Sequence, residues 1–121
     1  MTETTTQYKP FWYARPVFYV ADVDRSLRFY VDTLGFWKKW HQDKVCQVNR
    51  DDCEIILCQD DKRHDKARLF IELNQREIGR LQSEIDQRSI PSKKTWWGYD
   101  SIQIDDPDGN ELLFPVEGNS P

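Results

Sequence analysis

The 121-residue chain is predicted to be an α+β protein built of paired βαβββ modules, with curved mixed sheets and a concave binding face. Three observations predict it. Each half opens on a short apolar run, "PVFYVAD" (Pro16 to Asp22) and "RLFIEL" (Arg68 to Leu73). Each run leads into an amphipathic helical stretch, and each of those into three strand-like segments. A charged stretch without periodicity, "DDKRHDKA" (Asp60 to Ala67), separates the halves. The expected organisation is one domain, 1–121, with module one at about 14–60 and module two at about 67–116.

The first module follows from its residues in order. "PVFYVAD" is continuous and apolar, which predicts a strand buried on both faces or nearly so. Asp22 or Asp24 is placed to cap "DRSLRFYVDTLGF" (Asp24 to Phe36), where Leu27, Tyr30, Val31 and Leu34 follow helical spacing. Gly35 stands where a left-handed C-cap is wanted. "FWKKWHQ", "VCQVNR" and the β-branched "CEIILCQ" then read as strands, with "RDDC" turning between the last two.

The second module repeats the order without repeating the residues. "RLFIEL" is a strand. "NQREIGRLQSEIDQRSIP" (Asn74 to Pro91) sets Ile78, Leu81 and Ile85 on one helical face, with Asn74 as the N-cap and Pro91 just past the end. "KKTWWG", "DSIQID" and "ELLFPV" supply three strands, the last two joined by the turn formers of "DDPDGN". Helices on one face of each sheet leave the opposite face for a pocket.

Composition narrows the function. At 38% hydrophobic residues the chain is globular in type. A net charge of −4 and a pI near 5.1 argue against a nucleic-acid partner, which calls for a basic face. No apolar run has the length of a bilayer span, and "MTETTTQYKP" lacks the apolar stretch of a signal peptide, so neither a membrane nor export is expected. Cys46, Cys53 and Cys58 are odd in number and not spaced C-x-x-C. They read as buried free thiols in a reducing, cytoplasmic setting.

Catalytic signatures are lacking. There is no G-x-S-x-G, no cysteine beside a histidine, and no G-x-G-x-x-G among the five glycines. "DDPDGN" crowds three aspartates without calcium-loop spacing and reads as a hairpin turn. His41 and His64 have no paired spacing and read as surface residues, with Glu54 and Glu111 the possible carboxylates beside them. No catalytic residue and no cofactor are expected, and the protein reads as a non-enzyme.

What stands out is tryptophan. Four of the five lie in "WKKWHQ" and "KKTWWGYD". Core or interface packing is the ordinary use of such residues; a platform for a flat ligand is the functional one. Strict strand alternation assigns Trp37 and Trp40 to opposite faces, as it does Trp96 and Trp97.

"VADVDRSLRFYVDTLGF", "QVNRDDCEIILC" and "WWGYDSIQIDDPDGNELLF" together resemble the vicinal oxygen chelate (glyoxalase/bleomycin-resistance/dioxygenase) superfamily, over about Pro16 to Phe114. The middle stretch and the tryptophan-glycine pair look most like bleomycin resistance proteins. The resemblance implies a paired βαβββ fold and, in the superfamily's enzymes, a divalent metal on His and Glu side chains. Those places fall here on or near Arg15, on Ala67 or Arg68, within "IILC", and on Leu113. Arginine and leucine offer no lone pair to a cation, so metal chemistry is not expected.

For bleomycin resistance proteins the resemblance implies a homodimer with drug sites in the grooves between subunits, lined by aromatic side chains. It assigns the platform to Trp40 and Trp97, with Phe36 as a lesser member and Trp96 and Gly98 beside them. Trp12, ahead of the first strand, is a candidate for packing on the partner. Stacking on such a ring is worth about 1–3 kcal/mol. Lys38, Lys39, Lys93 and Lys94 flank the platform; pointing inward, they would repel a cationic drug such as bleomycin. The expected function is sequestration of a planar, partly aromatic molecule such as a bleomycin-like glycopeptide. The alternatives are a metal-dependent lyase, isomerase or dioxygenase with displaced ligands, and a binding module for another metabolite.

Overall fold

The computed structural model describes residues 12–63 and 65–116. The first module contains β1 (Val17–Val20), α1 (Val23–Arg28) extended by a π-helical turn (Phe29–Thr33), β2 (Trp37–Gln42), β3 (Val45–Arg50) and β4 (Cys53–Gln59). The second contains β5 (Arg68–Phe70), α2 (Gln75–Arg88), β6 (Lys93–Trp96), β7 (Asp100–Asp105) and β8 (Glu111–Pro115). Two four-stranded mixed sheets result, ordered β1-β4-β3-β2 and β5-β8-β7-β6. In each, the first strand pairs parallel with the last and the other pairings are antiparallel.

The local signals act as their chemistry requires. Asp22 caps α1, its carboxylate accepting from the Arg25 N–H at 3.1 Å, and Asn74 caps α2 through the Glu77 N–H at 2.9 Å. Gly35 sits at φ +74°, a left-handed conformation that residues with a Cβ rarely adopt. The π turn is not visible in the spacing: the Leu34 N–H reaches back five residues to the Phe29 carbonyl at 3.2 Å.

One core runs through both modules. Phe18, Val20, Cys46, Val48, Ile55 and Leu57 meet Val23, Tyr30 and Leu34 from α1 and its π turn. Ile102, Ile104, Leu112 and Phe114 meet Ile78, Leu81 and Ile90 in the same cluster. The modules are clasped by polar bonds as well. The Tyr30 hydroxyl donates to buried Asp106 at 2.9 Å, and Arg50 pairs with Glu84 at 3.3 Å. Asp108 accepts from the Ala21 N–H at 2.9 Å and from Arg25 at 3.1 Å.

The other face of each sheet carries no helix, and we call it the open face. It corrects one expectation: β1 is buried on one side only. Val17 is exposed and Tyr19 half-buried, because β1 is an edge strand with one free face. Cys46 is buried while Cys53 and Cys58 are half-buried, and all three are free thiols.

Candidate functional site

The centre of the first open face is Gln47 on β3, fully buried. Its neighbours Cys46 and Val48 point to the core, so alternation turns Gln47 and Asn49 outward. The Gln47 oxygen accepts from Arg15 Nη1 at 2.8 Å and Trp40 Nε1 at 3.1 Å. Its nitrogen donates to Asn49 at 3.0 Å and Glu54 at 2.8 Å. An amide has two acceptor and two donor positions, and all four are used. Glu54 also takes the Tyr13 hydroxyl, which holds that phenol above its usual pKa.

Around this hub stand two indoles. Trp37 pairs with Asn49 and Trp40 with Gln47, so both lie on the open face. Alternation assigned them opposite faces. A register shift between Lys38 and Trp40 overturns that, because Lys39 is an extra residue and a bulge restores the same side. Lys38 is then opposite Val48, on the core side, away from the indoles.

On the second sheet the open-face residues are Arg68 and Phe70, Glu111, Leu113 and Pro115, Ser101, Gln103 and Asp105, Lys93 and Thr95. Trp97, just past β6, meets Phe70 edge-on with ring centroids 5.5 Å apart and an interplanar angle of 88°. Tyr99 lies 6.5 Å from Phe70, and the Arg68 guanidinium is 5.3 Å from the Trp97 ring. Arg68 is held in turn by Glu111 at 2.6 Å.

The predicted site residues thus separate. Trp40 and Trp97 are 37% and 42% exposed, each on its sheet's open face, and their contacts stay within their own sheets. Phe36 is corrected: at 6% exposure it is a core residue, edge-on to Tyr30 at 5.4 Å, and not part of the open face that carries Trp40. Trp96 is corrected too. It pairs with Asp100 in the register of Ile102, so it lies on the opposite side from Trp97, 72% exposed. Gly98 sits at φ +82° in the hairpin end. Lys94 is opposite Ile102, on the core side, and Lys93 is opposite Gln103, on the open face. Trp12 is 99% exposed.

Three of the places to which the resemblance assigns a metal ligand hold side chains unsuited to one. Arg15 puts a guanidinium onto Gln47, Leu113 is apolar and fully buried, and Arg68 is engaged with Glu111. Glu54 and Glu111 lie on different sheets. His41 is turned to the Asp43 carbonyl at 2.9 Å, and His64 lies outside the described residues. Among the described residues, no three His, Cys, Asp or Glu side chains come together as a metal set. No helix among them is long and apolar enough to cross a membrane.

A cleft of about 410 Å³ runs along the seam between the modules, from Ala14 and Pro16 past Cys53 and Glu54 to Leu69, Phe70 and Leu73. It includes none of the tryptophans. Their faces are open surfaces rather than enclosed hollows, so a groove over them needs a second wall.

Several of these residues had weak sequence signals. Gln47 and Asn49 alternate with core residues in "VCQVNR", a pattern of one dry and one functional face. In "RLFIEL", Arg68 and Phe70 alternate with Leu69 and Ile71 in the same way. Thr95 and Ser101 gave no signal at all.

A family model described as Glyoxalase/Bleomycin resistance protein/Dioxygenase superfamily matches residues 12–114. The chain belongs to that superfamily. No curated protein matches it closely enough to count as a relative. Among solved structures, a bleomycin-binding protein from Streptomyces verticillus with copper(II)-bleomycin is similar with a TM-score of 0.69 at 21% identity, covering 91% of this chain and 99% of that one. A second bleomycin-binding protein, complexed with bleomycin, gives a TM-score of 0.72 at 16% identity, covering 88% and 99%. A lactoylglutathione lyase from Agrobacterium tumefaciens gives 0.70 at 18%, covering 88% and 95%. At these identities the likeness is one of fold, shared by binders and an enzyme alike.

Proposed function

We propose that this superfamily member is a non-catalytic binder that sequesters a planar, partly aromatic small molecule of the bleomycin type, as a cytoplasmic homodimer. What carries the reading is a substitution of chemistry on the open faces. Where the superfamily's enzymes need electron-pair donors for a cation, this chain has Arg15 and buried Leu113, and beside them stand exposed Trp37, Trp40 and Trp97. Sequestration needs affinity and copies of the protein, not turnover.

The dimer supplies the missing wall. Each open face presents large apolar side chains to solvent: Trp37, Trp40 and Val17 on one sheet, Phe70 and Trp97 on the other. Two copies related by a twofold axis would set the first face of one against the second face of the other, and so place Trp40 opposite the partner's Trp97. The charge also permits a cationic guest. Lys38 and Lys94 lie off the open faces; on them Glu54, Asp105 and Glu111 balance Arg15, Arg68 and Lys93, so a cation is not repelled by net charge.

Titration of the purified protein with metal-free and with copper-loaded bleomycin, followed by tryptophan emission, tests this. Saturable quenching at micromolar drug is expected, and its absence rejects bleomycin as the ligand. Elemental analysis separates the enzyme alternative, for which a stoichiometric divalent metal would speak.

A further inference from the structure

We propose that Thr95 and Ser101 form a hydrogen-bonding subsite beneath Trp97 for the carboxamide or lactam edge of a planar ligand. This rests on the reading that the open faces bind such a molecule and names the polar group they select. Thr95 Oγ1 and Ser101 Oγ are both buried, and neither has a hydrogen-bond partner among the described residues. The two residues are direct cross-strand partners on β6 and β7, on the open face. Ser101 is 1% exposed although no helix covers that side.

The cover is aromatic. Phe70 and Trp97 belong to opposite edges of the sheet, three strand spacings of about 4.8 Å apart, yet their ring centroids are 5.5 Å apart. For the rings to meet, the two side chains must together reach across β7 and β8, whose paired open-face residues at the Trp97 end are Ser101 and Pro115. Leu113 and Pro115 are buried on the same face. The segment carrying Trp97 is held by one backbone bond, its N–H to the Tyr99 carbonyl at 3.0 Å. It turns at Gly98, at φ +82°, with nothing within 4 Å of where a Cβ would stand. Glycine adopts that geometry without steric cost, and we infer that a guest reaches the two hydroxyls by displacing the indole at this hairpin end.

Two adjacent hydroxyls each offer one donor and acceptor lone pairs. One can accept from an amide N–H while the other donates to its C=O, which satisfies both at once. An anion is disfavoured: Asp105 and Glu111 share the face, Arg68 is taken by Glu111, and Lys93 stands opposite Gln103, whose amide is bonded to Asp105 at 2.8 Å.

The test compares quinoline-3-carboxamide with quinoline, by following the indole N–H signals of the ¹⁵N-labelled dimer, in the wild type and in Thr95→Val/Ser101→Ala. The amide is expected to bind at least about tenfold tighter than the bare ring in the wild type. In the double variant that advantage disappears while quinoline affinity holds, and the variant melts no lower than the wild type. Equal binding of both compounds to the wild type overturns the subsite and leaves the platform standing. So does an amide preference that survives the double substitution. If neither compound shifts any indole signal, the platform reading falls and the subsite with it.

Discussion

The indole nitrogen of Trp40 donates across 3.1 Å to the side-chain oxygen of Gln47, a buried amide whose four hydrogen-bonding positions are all filled. The Trp40 ring is therefore oriented from below by a group that has no freedom to turn. Rigid placement of an aromatic wall lowers the ordering cost of binding a flat guest.

Gln47→Glu keeps the shape and reverses one half of the chemistry. The new oxygen faces Asn49 Oδ1 and Glu54, which the wild-type nitrogen bonds at 3.0 and 2.8 Å. Placing a carboxylate against Glu54 at a buried position should cost about 2–4 kcal/mol at neutral pH. Acid should recover part of the loss as the pair takes up a proton, and denaturant titrations at pH 7 and pH 5 measure both effects.

Tyr30→Phe removes the bond that ties α1 and its π turn to the β7–β8 turn. The expected loss is about 1–3 kcal/mol, since the Asp106 carboxylate keeps its bonds from Asn110 and the Asp108 N–H but loses the hydroxyl. Burial holds the Tyr30 phenol well above its usual pKa. The unfolded chain therefore sheds this proton first as pH passes about 10, and wild-type stability falls there. The Phe variant should show a shallower decline in alkaline melting curves, the remainder coming from the Cys46 and Cys53 thiols, which burial pushes up to about 11, and from Tyr13.

Asp106 gives the acid-side counterpart. Burial raises its carboxyl above the ordinary range, and the bonds from Asn110, Tyr30 and the Asp108 N–H only partly offset this. A folded pKa above the unfolded value means the native state holds the proton more tightly. The stabilisation is present at low pH and is lost as pH climbs from about 4 through the raised value. Neighbouring Asp108 is held by Arg25 at 3.1 Å. Melting temperatures of wild type and Asp106→Asn between pH 3 and 7 should therefore diverge, with the wild type losing ground as pH rises.

The two βαβββ modules were legible because helix caps and turns are local chemistry: Asp22, Asn74, Gly35 and the "DDPDGN" turn each act through bonds within a few residues. The site was only half legible. Trp40 and Trp97 stand on open faces, but the pairing of Trp37 with Trp40 depends on a bulge at Lys39, set by cross-strand register and not by spacing. Phe36 packs in the core just ahead of β2, and Trp96 lies on the side opposite Trp97, as alternation assigned it. Which side of a strand is dry depends on where the helix lands, and adjacent tryptophans give no sign of it. The Gln47 hub joins residues from Arg15 to Glu54 and exists only once β1, β2, β3 and β4 are assembled.

Association is testable without any ligand. Sedimentation equilibrium should return twice the 14.5 kDa chain mass. Val17→Asp, which charges an exposed open-face position on β1, should shift the equilibrium toward the single chain with little change in melting temperature at high dilution. A monomer at micromolar concentration in the wild type would leave the grooves without their second wall.

The most direct measurement of the central claim is the affinity of bleomycin, with chelator present, for the wild type and for Trp40→Ala and Trp97→Ala. Loss of one stacking ring is expected to cost about 1–3 kcal/mol, so each variant should bind about 5- to 150-fold more weakly, while the wild type binds equally well with metal removed. Unchanged affinity in both variants, or binding that vanishes with the chelator and returns with a divalent ion, would contradict it.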